Sequence, residues 1–411
     1  MKLSRLSALL LLIVLIGAGI YISLPFPSDS GSSGAASLPE PKISIPATTE
    51  APSSSKLYAK YSCVMDADGK RILLANDAGQ KVPMASTTKI MTALLVLESG
   101  RTGETVKASS YAASMPKVHL GMRAGYQYKL EDLLYSLMLE SHNDTAVAIA
   151  EHMSGSVQNF AAEMNKKAKA LGMADTHFVT PNGLDADGHY STASDMCRLA
   201  AYAVKNSSFC ELVATRSHSF TTIDGAHSYT VSNKDAFLSY YDGALGIKTG
   251  FTGKAGYCFV GAARRNNITL TSCVLACGWP PNKSYKWADT KALMDYGFQN
   301  FAKTKLPLQN MAAVKIPVED GRQDTVSCAQ PETPEALTSR SDTITVLYDL
   351  PQKLCAPVRK NIPIGSVSFY INGSLYKKEK IFPAENVEKS HFSDTIRDVL
   401  TLWDETFCHV S

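Results

Sequence analysis

The most constraining feature of the sequence is the stretch from Met84 to Gly100, which predicts a helix that is buried on almost every face. Eight of the nine residues that follow Lys89 carry no formal charge, and most of them are apolar. Gly100 is placed to cap the end of the helix. A helix with so little polar surface must lie inside a core, so the chain has to fold around it.

Ser86 and Lys89 stand three residues apart and share a face at the mouth of this helix. A serine hydroxyl is a poor nucleophile until a base takes its proton, and a lysine is such a base only when it is neutral. Lowering a lysine pKa from about 10.4 to about 7 takes about 4 kcal/mol, which burial and a second cation can supply. We predict a catalytic pair. The alternative is that Ser86 caps the helix and Lys89 is solvated in its first turn.

Length and composition exclude several classes of protein. With 411 residues, of which 45% are hydrophobic and 19% charged, the chain has room for two globular domains. Its formal charge of +3 and its lack of a phosphate-binding glycine loop give no reason to expect a nucleic-acid partner. The nine cysteines form no CxxC pair, and no HExxH motif is present, so we expect neither a metal site nor a cofactor.

The amino terminus differs from the rest of the chain. Lys2 and Arg5 precede an uncharged run, so residues 1–27 are predicted to be a signal peptide or an N-terminal membrane anchor. No A-x-A-like site closes the run, so export is predicted while cleavage stays open. Residues 28–56 are rich in Pro, Ser, Ala and Thr, and we interpret them as a linker between the membrane and the folded domain.

Two further segments carry polar groups suited to a cleft. Ser141 and Asn143 lie in a short polar stretch between two predicted helices, 130–140 and 145–153, where a hydroxyl and an amide can face a cleft or cap the second helix. The segment Lys248-Thr249-Gly250 is predicted at the end of a strand that precedes a hairpin. A cation beside a hydroxyl suits a carboxylate, and a glycine lets a ligand lie along the strand.

Taken in order, these segments resemble a known family. The chain is similar to the serine-type D-alanyl-D-alanine carboxypeptidases, the low-molecular-mass penicillin-binding proteins, which share S-x-x-K, S-x-N and K-T-G motifs. The resemblance rests on Met84-Ala85-Ser86-Thr87-Thr88-Lys89, Ser141-His142-Asn143-Asp144, Pro181-Asn182-Gly183-Leu184, His189-Tyr190-Ser191-Thr192-Ala193 and Gly246-Ile247-Lys248-Thr249-Gly250. It implies an α/β (α+β) catalytic domain over residues 57–305, with an antiparallel sheet flanked by helices.

The resemblance also implies an activity, the removal of the terminal D-Ala from peptidoglycan stem peptides outside the cytoplasm, with β-lactams as covalent inhibitors. Ser86 would form the acyl-enzyme, Lys89 would take its proton, and Ser141 would relay a proton to the leaving D-alanine.

The same resemblance assigns the groups that bind the substrate. Asn143 would orient Lys89 and bind the substrate amide, and Lys248 and Thr249 would hold the terminal carboxylate beside Gly250. The N–H groups of Ser86 and Phe251 would form the oxyanion hole. Lys283 or Lys286 is expected to add positive charge near that carboxylate.

The residue pattern changes after residue 305. Short alternating strands predict a small β-sandwich domain over residues 306–382, a domain that the family also has. Residues 383–411 are predicted to be an amphipathic C-terminal helix, which is acidic rather than basic, so docking on a protein and binding to a membrane are both open. The apolar face of this helix comprises Phe392, Ile396, Val399, Leu400, Trp403 and Phe407.

Three alternative functions remain at this point. A class A-like β-lactamase needs a glutamate that activates water for deacylation. Between the second and third motifs the glutamates are Glu151, Glu163 and Glu211, and none has an E-x-x-L-N setting. A catalytically silent cell-wall-binding protein and a transpeptidase are the other two.

Overall fold

The computed structural model describes residues 50–53, 56–391 and 396. Within them the chain divides into a larger unit, residues 50–53, 56–304 and 336–341, and a smaller unit, residues 305–335, 342–391 and 396. The predicted signal or anchor at 1–27 and most of the linker at 28–56 lie outside the described residues. The domain boundaries at 57 and 305 stay predictions.

A five-stranded antiparallel sheet runs through the larger unit, in the order β2-β1-β9-β8-β7. A hairpin of β1 and β2 lies at one edge of the sheet, and β1 also pairs with β9, a strand from much later in the chain. Asn266 and Asn267 form the β8–β9 turn, both with left-handed backbone, φ 47° and 62°. Arg264 and Arg265 before the turn pair within the strands. The strands are β1 (Ala59–Asp66), β2 (Ile72–Asn76), β7 (Ala244–Thr252), β8 (Gly256–Arg265) and β9 (Ile268–Cys277).

Helices cover both faces of this sheet. One face packs on the C-terminal helix of the unit, where Val64 and Val274 meet Leu293 and Met294. The other face packs on the remaining helices, and the predicted buried helix lies within that second core. The helices are α1 (Lys89–Ser99), α2 (Ser110–Ala113), α3 (Leu130–Tyr135), α4 (Asn143–Ser154), α5 (Val157–Ala170), α6 (Ala193–Ala203), α7 (Ser207–Ala214), α8 (Phe237–Tyr240) and α9 (Tyr285–Asn300).

Shorter elements complete the larger unit. A 3₁₀ turn, Ala85–Thr88, precedes α1, and a π turn, Ser136–Glu140, follows α3. Three two-stranded sheets pair β3 (Thr105–Lys107) with β4 (Gln127–Lys129), β5 (Ser217–Thr221) with β6 (Ser228–Ser232), and β10 (Ala302–Lys305) with β13 (Glu335–Thr338).

The smaller unit is rich in strands, as predicted. Two three-stranded sheets have the orders β12-β11-β15 and β14-β16-β17. A short 3₁₀ turn, Met311–Ala313, precedes them. The strands are β11 (Lys315–Glu319), β12 (Thr325–Ser327), β14 (Ile344–Asp349), β15 (Leu354–Cys355), β16 (Gly365–Ile371) and β17 (Ser374–Ile381).

The C-terminal helix predicted over 383–411 falls mostly outside the described residues. Its described start is not helical, because Pro383, Val387 and Lys389 form isolated β-bridges with residues of the smaller unit. That backbone pairing competes with helix formation, so the predicted start of the helix at residue 383 is corrected. Across the described ranges, no helix combines the length and the apolar composition needed to cross a bilayer.

Candidate active site

One cleft in the larger unit brings the three predicted segments together. It has a volume of about 380 Å³, and Ser86, Ser141, Asn143, Thr249, Gly250 and Phe251 are among the residues that line it. The side chains of Lys89 and Lys248 are buried beside it, with 0% and 2% of their surface exposed. Three stretches that are distant in sequence therefore meet at one place.

Ser86 is presented by the 3₁₀ turn Ala85–Thr88 rather than by the α-helix itself. Ala85 has a left-handed backbone, φ 49°, which is costly for a residue with a side chain. Side chains brace the turn: the Thr87 hydroxyl donates to the Met84 carbonyl at 2.7 Å, and the Thr88 hydroxyl donates to the Ala85 carbonyl at 2.9 Å. These bonds hold the nucleophile in one position.

His189 supports the same turn from behind. Its Nδ1 accepts a hydrogen bond from the Val179 N–H at 3.0 Å, so a neutral ring carries its proton on Nε2, which lies 2.9 Å from the Thr88 hydroxyl. Burial lowers the pKa of His189 to about 4, so the ring is neutral at physiological pH. His189 thus acts on the site through Thr88.

Lys89 Nζ has three oxygen neighbours. It lies 3.0 Å from Ser86 Oγ, 2.9 Å from Asn143 Oδ1 and 2.6 Å from the Asn182 carbonyl oxygen. A neutral amine has two N–H groups, which the amide and carbonyl oxygens accept because neither can donate. The remaining lone pair then faces the Ser86 hydroxyl, so the amine is placed to take the hydroxyl proton.

The electrostatics favour that neutral form. Burial, together with the nearby Lys248 ammonium, holds the pKa of Lys89 well below its ordinary value, against a smaller opposing effect of Asp144. Burial lowers the pKa of Lys248 to about 8. Lys248 is therefore mostly charged at neutral pH, and its charge favours the neutral form of Lys89.

Ser141 reaches the cleft through an irregularity in the helix before it. The last turn, Ser136–Glu140, is a π turn, and Ser141 follows it with a left-handed backbone, φ 70°. Its hydroxyl oxygen is buried and has no hydrogen-bond partner among the described residues. A buried hydroxyl left unpaired at a cleft is poised to bond a ligand.

The segment after Ser141 anchors a wall of the cleft. The Asn143 side-chain amide donates to the Pro116 carbonyl at 3.3 Å, and its backbone N–H donates to the Val118 carbonyl at 2.8 Å. The buried Asp144 carboxylate accepts three N–H bonds, of 2.9, 2.9 and 3.0 Å, from residues 120–122. These bonds fix the loop that carries Lys117 and Val118 into the lining.

Lys248, Thr249 and Gly250 lie in the middle of β7, not at its end as the sequence suggested. A side chain at Gly250 would bring its Cβ within 2.9 Å of the Ser86 backbone nitrogen. Glycine is therefore required here because the Ser86 turn packs closely against it. The sequence analysis gave a different reason, namely that a glycine leaves room for a ligand along the strand. The contact also places the strand directly against the Ser86 backbone N–H.

The lining is rich in cations. Lys117, Lys234, Lys283 and Lys286 contribute to it, so both of the lysines singled out in the sequence, Lys283 and Lys286, line the cleft. Of the described residues that line the cleft, only Glu140 is acidic, and its carboxylate lies 3.0 Å from Lys234 Nζ. The net charge of the cleft is positive and suits an anionic ligand.

Three residues of the site escaped the sequence reasoning. Asn182 acts through a backbone carbonyl, and the Pro181-Asn182-Gly183 turn gave the only signal of its presence. Asp144 was seen as a neighbour of the S-x-N segment without a role. Asp235, a buried acid whose charge acts on Lys248, lies in a polar stretch that has no distinguishing pattern.

Comparisons with known proteins agree with this geometry. The sequence profile of the family described as D-alanyl-D-alanine carboxypeptidase matches residues 47–278, and that of the penicillin-binding protein 5 C-terminal domain matches residues 301–389. The chain is 28% identical over 353 residues to D-alanyl-D-alanine carboxypeptidase DacF of Bacillus subtilis, covering 84% of this chain and 90% of the relative. It is 35% identical over 229 residues to the Streptomyces sp. K15 D-alanyl-D-alanine carboxypeptidase, covering 52% and 78%.

Among solved structures, penicillin-binding protein 5 of Haemophilus influenzae superposes with a TM-score of 0.67 at 26% identity, covering 81% of this chain and 98% of that one. The profile match spans the whole Ser86, Ser141 and Lys248 constellation. A hydroxyl facing an uncharged amine, beside a second amine that stays charged, is what an acyl-transfer enzyme with this motif order requires. The chain therefore belongs to the D-alanyl-D-alanine carboxypeptidase family of penicillin-binding serine hydrolases.

Proposed function

We propose that Ser86, Lys89 and Ser141 are the catalytic residues of this carboxypeptidase. The observation that carries the assignment is the contact set of Lys89, in which two acceptor-only oxygens occupy both N–H groups and leave the lone pair on the Ser86 hydroxyl. Ser86 Oγ attacks the carbonyl carbon of the penultimate D-alanine, and its proton moves to Lys89 Nζ.

Collapse of the tetrahedral intermediate breaks the peptide C–N bond. The leaving D-alanine takes a proton on its nitrogen from the Ser141 hydroxyl, which lies unpaired in the lining, and Ser141 in turn takes the proton that Lys89 received from Ser86. Lys89 and Ser141 thereby return to their starting protonation states. Water then hydrolyses the Ser86 ester and restores the hydroxyl. The N–H groups of Ser86 and Phe251 serve as the oxyanion hole, where each donor contributes about 3 to 4 kcal/mol in comparable enzymes.

The terminal carboxylate of the substrate binds Lys248 and Thr249. Asn143 bonds the substrate amide while it orients Lys89. Lys283 and Lys286 extend the positive charge, and Lys286 Nζ lies 4.5 Å from the ring centroid of Trp287 and 4.8 Å from that of Tyr257, which limits its motion. The substrates are peptidoglycan stem peptides that end in D-Ala-D-Ala, and β-lactams acylate the same serine. Such substrates place the enzyme outside the cytoplasm, in the cell envelope.

The test is release of D-alanine from a diacetyl-Lys-D-Ala-D-Ala peptide by the wild type and by Ser86→Ala. The variant is expected to fold, to release no D-alanine and to form no covalent penicillin adduct. Release of D-alanine by the variant at the wild-type rate would contradict the assignment. Rapid turnover of nitrocefin instead of a single burst would identify a β-lactamase, and cross-linked product in place of free D-alanine would identify a transpeptidase.

We also propose that residues 1–27 associate with the membrane and that the linker at 28–56 separates that segment from the enzyme. The apolar run after Lys2 and Arg5 supports this proposal. Whether the segment is cleaved is decided by fractionation of cells that express the full chain. Recovery of all the protein in the soluble envelope fraction would exclude a permanent anchor.

A further inference from the structure

His142 is the middle residue of the S-x-N segment, and the proposed mechanism gives it no part. Only 5% of its surface is exposed, and it follows directly after Ser141, whose backbone is left-handed. A left-handed residue with a side chain is strained, and it keeps that conformation only where its surroundings leave no alternative. The residues around Ser141 therefore have to impose it.

The His142 ring links the two ends of the segment that carries Ser141. Its Nδ1 lies 2.8 Å from the hydroxyl oxygen of Ser136, the first residue of the π turn. That oxygen lies 2.9 Å from the hydroxyl oxygen of Thr145, in the first turn of α4. Ser136 and Thr145 are fully buried, so these contacts are shielded from solvent. One chain of side-chain contacts thus ties the π turn to α4 across the Ser141 loop.

This chain of contacts has a definite direction. Glu140 Oε2 lies 3.3 Å from His142 Nε2, and a carboxylate oxygen can only accept. Burial lowers the pKa of His142, so the ring is neutral at physiological pH, and its one proton is placed on Nε2. Nδ1 then accepts from the Ser136 hydroxyl, whose oxygen is left to accept from the Thr145 hydroxyl. Loss of the acceptor at Nδ1 would break the chain at the residue next to Ser141.

Glu140, the residue before Ser141, is fixed as well. Its Oε1 accepts a hydrogen bond from the Ser232 N–H at 3.0 Å and lies 3.0 Å from Lys234 Nζ. Both sequence neighbours of Ser141 are therefore anchored by their side chains. The Ser141 hydroxyl is buried and has no hydrogen-bond partner among the described residues. Because it makes no bond of its own there, its position depends on the backbone that the two neighbours hold.

We propose that His142 is a positioning residue for proton transfer, which holds the Ser141 hydroxyl in the cleft through its bond to Ser136. The proposal rests on the proposed function, in which Ser141 protonates the leaving D-alanine. The ring stands outside the lining that the described residues form, so it acts through Ser141 and not on the substrate. A proton donor is effective only when it reaches the leaving atom, and a displacement of about 1 Å can cost about a hundredfold in rate.

The test compares two substrates that share an acyl part and differ in the leaving group. In diacetyl-Lys-D-Ala-D-Ala the nitrogen leaves only with a proton, whereas the thioglycolate thioester of diacetyl-Lys-D-Ala loses a thiolate, which is stable without one. The measured quantity is kcat/KM, which reports acylation, the step in which the leaving group departs. A displaced proton donor lowers kcat/KM for the peptide much more than for the thioester, while partial unfolding lowers both equally.

His142→Leu removes the acceptor at Nδ1 and keeps an apolar side chain in the buried site. The ratio of kcat/KM for the peptide to kcat/KM for the thioester should fall by at least about tenfold. His142→Asn, whose Oδ1 can accept from Ser136, should recover the ratio to within about threefold of the wild type. A fall of less than about threefold in His142→Leu would overturn the proposal, and so would equal ratios in the two variants.

Two further variants keep the result interpretable. Ser136→Ala breaks the same bond from the other side and removes a single oxygen. It should lower the ratio even if His142→Leu does not fold, and an unchanged ratio would overturn the proposal. His152→Leu is the matched control, because His152 lies at the other end of α4 and is also a partly buried histidine beside a carboxylate, with Nε2 2.7 Å from Glu104 Oε2. Its ratio should match the wild type, and an equal fall in His152→Leu and His142→Leu would refute a specific role for His142.

A double-mutant cycle separates this inference from the proposed function. Ser141→Ala alone should lower the ratio by about a hundredfold, because the proton donor is gone. Adding His142→Leu to Ser141→Ala should then change the ratio by less than about twofold, and a further fall of about tenfold would overturn the proposal. An unchanged ratio in Ser141→Ala would reject the proposed role of Ser141 itself. A lowered ratio in Ser141→Ala with an unchanged ratio in His142→Leu would reject only the role of His142.

Discussion

The loop that walls the cleft depends on one carboxylate, and its removal provides a quantitative test. Both oxygens of Asp144 are used: Oδ1 accepts from the N–H groups of Leu120 and Thr145 at 2.9 and 2.8 Å, and Oδ2 accepts from Gly121 and Met122 at 2.9 and 3.0 Å. In Asp144→Asn, one oxygen remains, and the new amide N–H₂ faces two N–H donors. Two bonds to a charged acceptor are lost, each worth about 1.5 to 3 kcal/mol.

We expect Asp144→Asn to lower the free energy of unfolding by about 3 kcal/mol, the lower end of that range, because the loop is partly exposed and its freed N–H groups can bond water. The assay is urea denaturation followed by tryptophan fluorescence, with penicillin labelling as a second reading of the cleft. Asp224→Asn is the control, since Asp224 also accepts a backbone N–H but in an exposed turn, and it should change stability by less than about 0.5 kcal/mol. A loss below about 1 kcal/mol in Asp144→Asn would refute the argument that this carboxylate holds the loop.

Two further predictions concern the Ser86 turn. Gly250→Ala places a Cβ 2.9 Å from the Ser86 backbone nitrogen, and this nitrogen cannot move without moving the nucleophile. Penicillin labelling of Ser86 should therefore slow by at least about tenfold. The circular dichroism spectrum should be unchanged. Gly253→Ala, where a Cβ would meet nothing within 4 Å, should label normally, and equal labelling of both variants would contradict the prediction. Burial lowers the pKa of His189 to about 4, from about 6.5 in the unfolded chain. As the pH falls, His189 therefore takes up its proton in the unfolded state before it does so in the folded state. This difference alone should lower the free energy of unfolding of the wild type by about 2 kcal/mol between pH 7 and pH 5. His189→Gln should show a drop smaller by that amount in urea denaturation at the two pH values, and an identical drop would show that His189 does not cause it.

The buried helix and the convergence of the three motifs could be predicted from the sequence, because both depend on the types of side chain present. The apolar side chains after Lys89 avoid water only if the helix lies in a core. The roles of Ser86, Asn143 and Lys248 depend on their side chains, so the residue types themselves indicate the chemistry. The antiparallel sheet was expected only from the family resemblance, because no local pattern shows that β1 pairs with β9 from much later in the chain.

The details that the sequence did not reveal are those carried by the backbone or by long-range burial. The backbone carbonyl of Asn182 accepts a hydrogen bond from Lys89. Every residue has a backbone carbonyl, so the residue type at position 182 does not indicate this contact. The need for Gly250 comes from a turn more than 160 positions earlier in the chain, which only the folded contact discloses. Asp235 has the same difficulty, because an acid in a polar stretch gives no sign that it will be buried.

The π turn before Ser141 has a consequence for how this enzyme tolerates changes in length. A π turn holds more residues than an α-helical turn, and each α-helical residue rotates the chain by about 100°. Deleting one residue from Ser136–Glu140 would let the remaining four residues wind as one α-helical turn, which spans about the same angle as the five residues of the π turn, so residue 141 would keep nearly the same direction. A deletion in a regular turn of α4 would instead rotate every residue after it by about 100°. The segment before Ser141 is thus a place where the chain can lose a residue with little change in the direction of the hydroxyl.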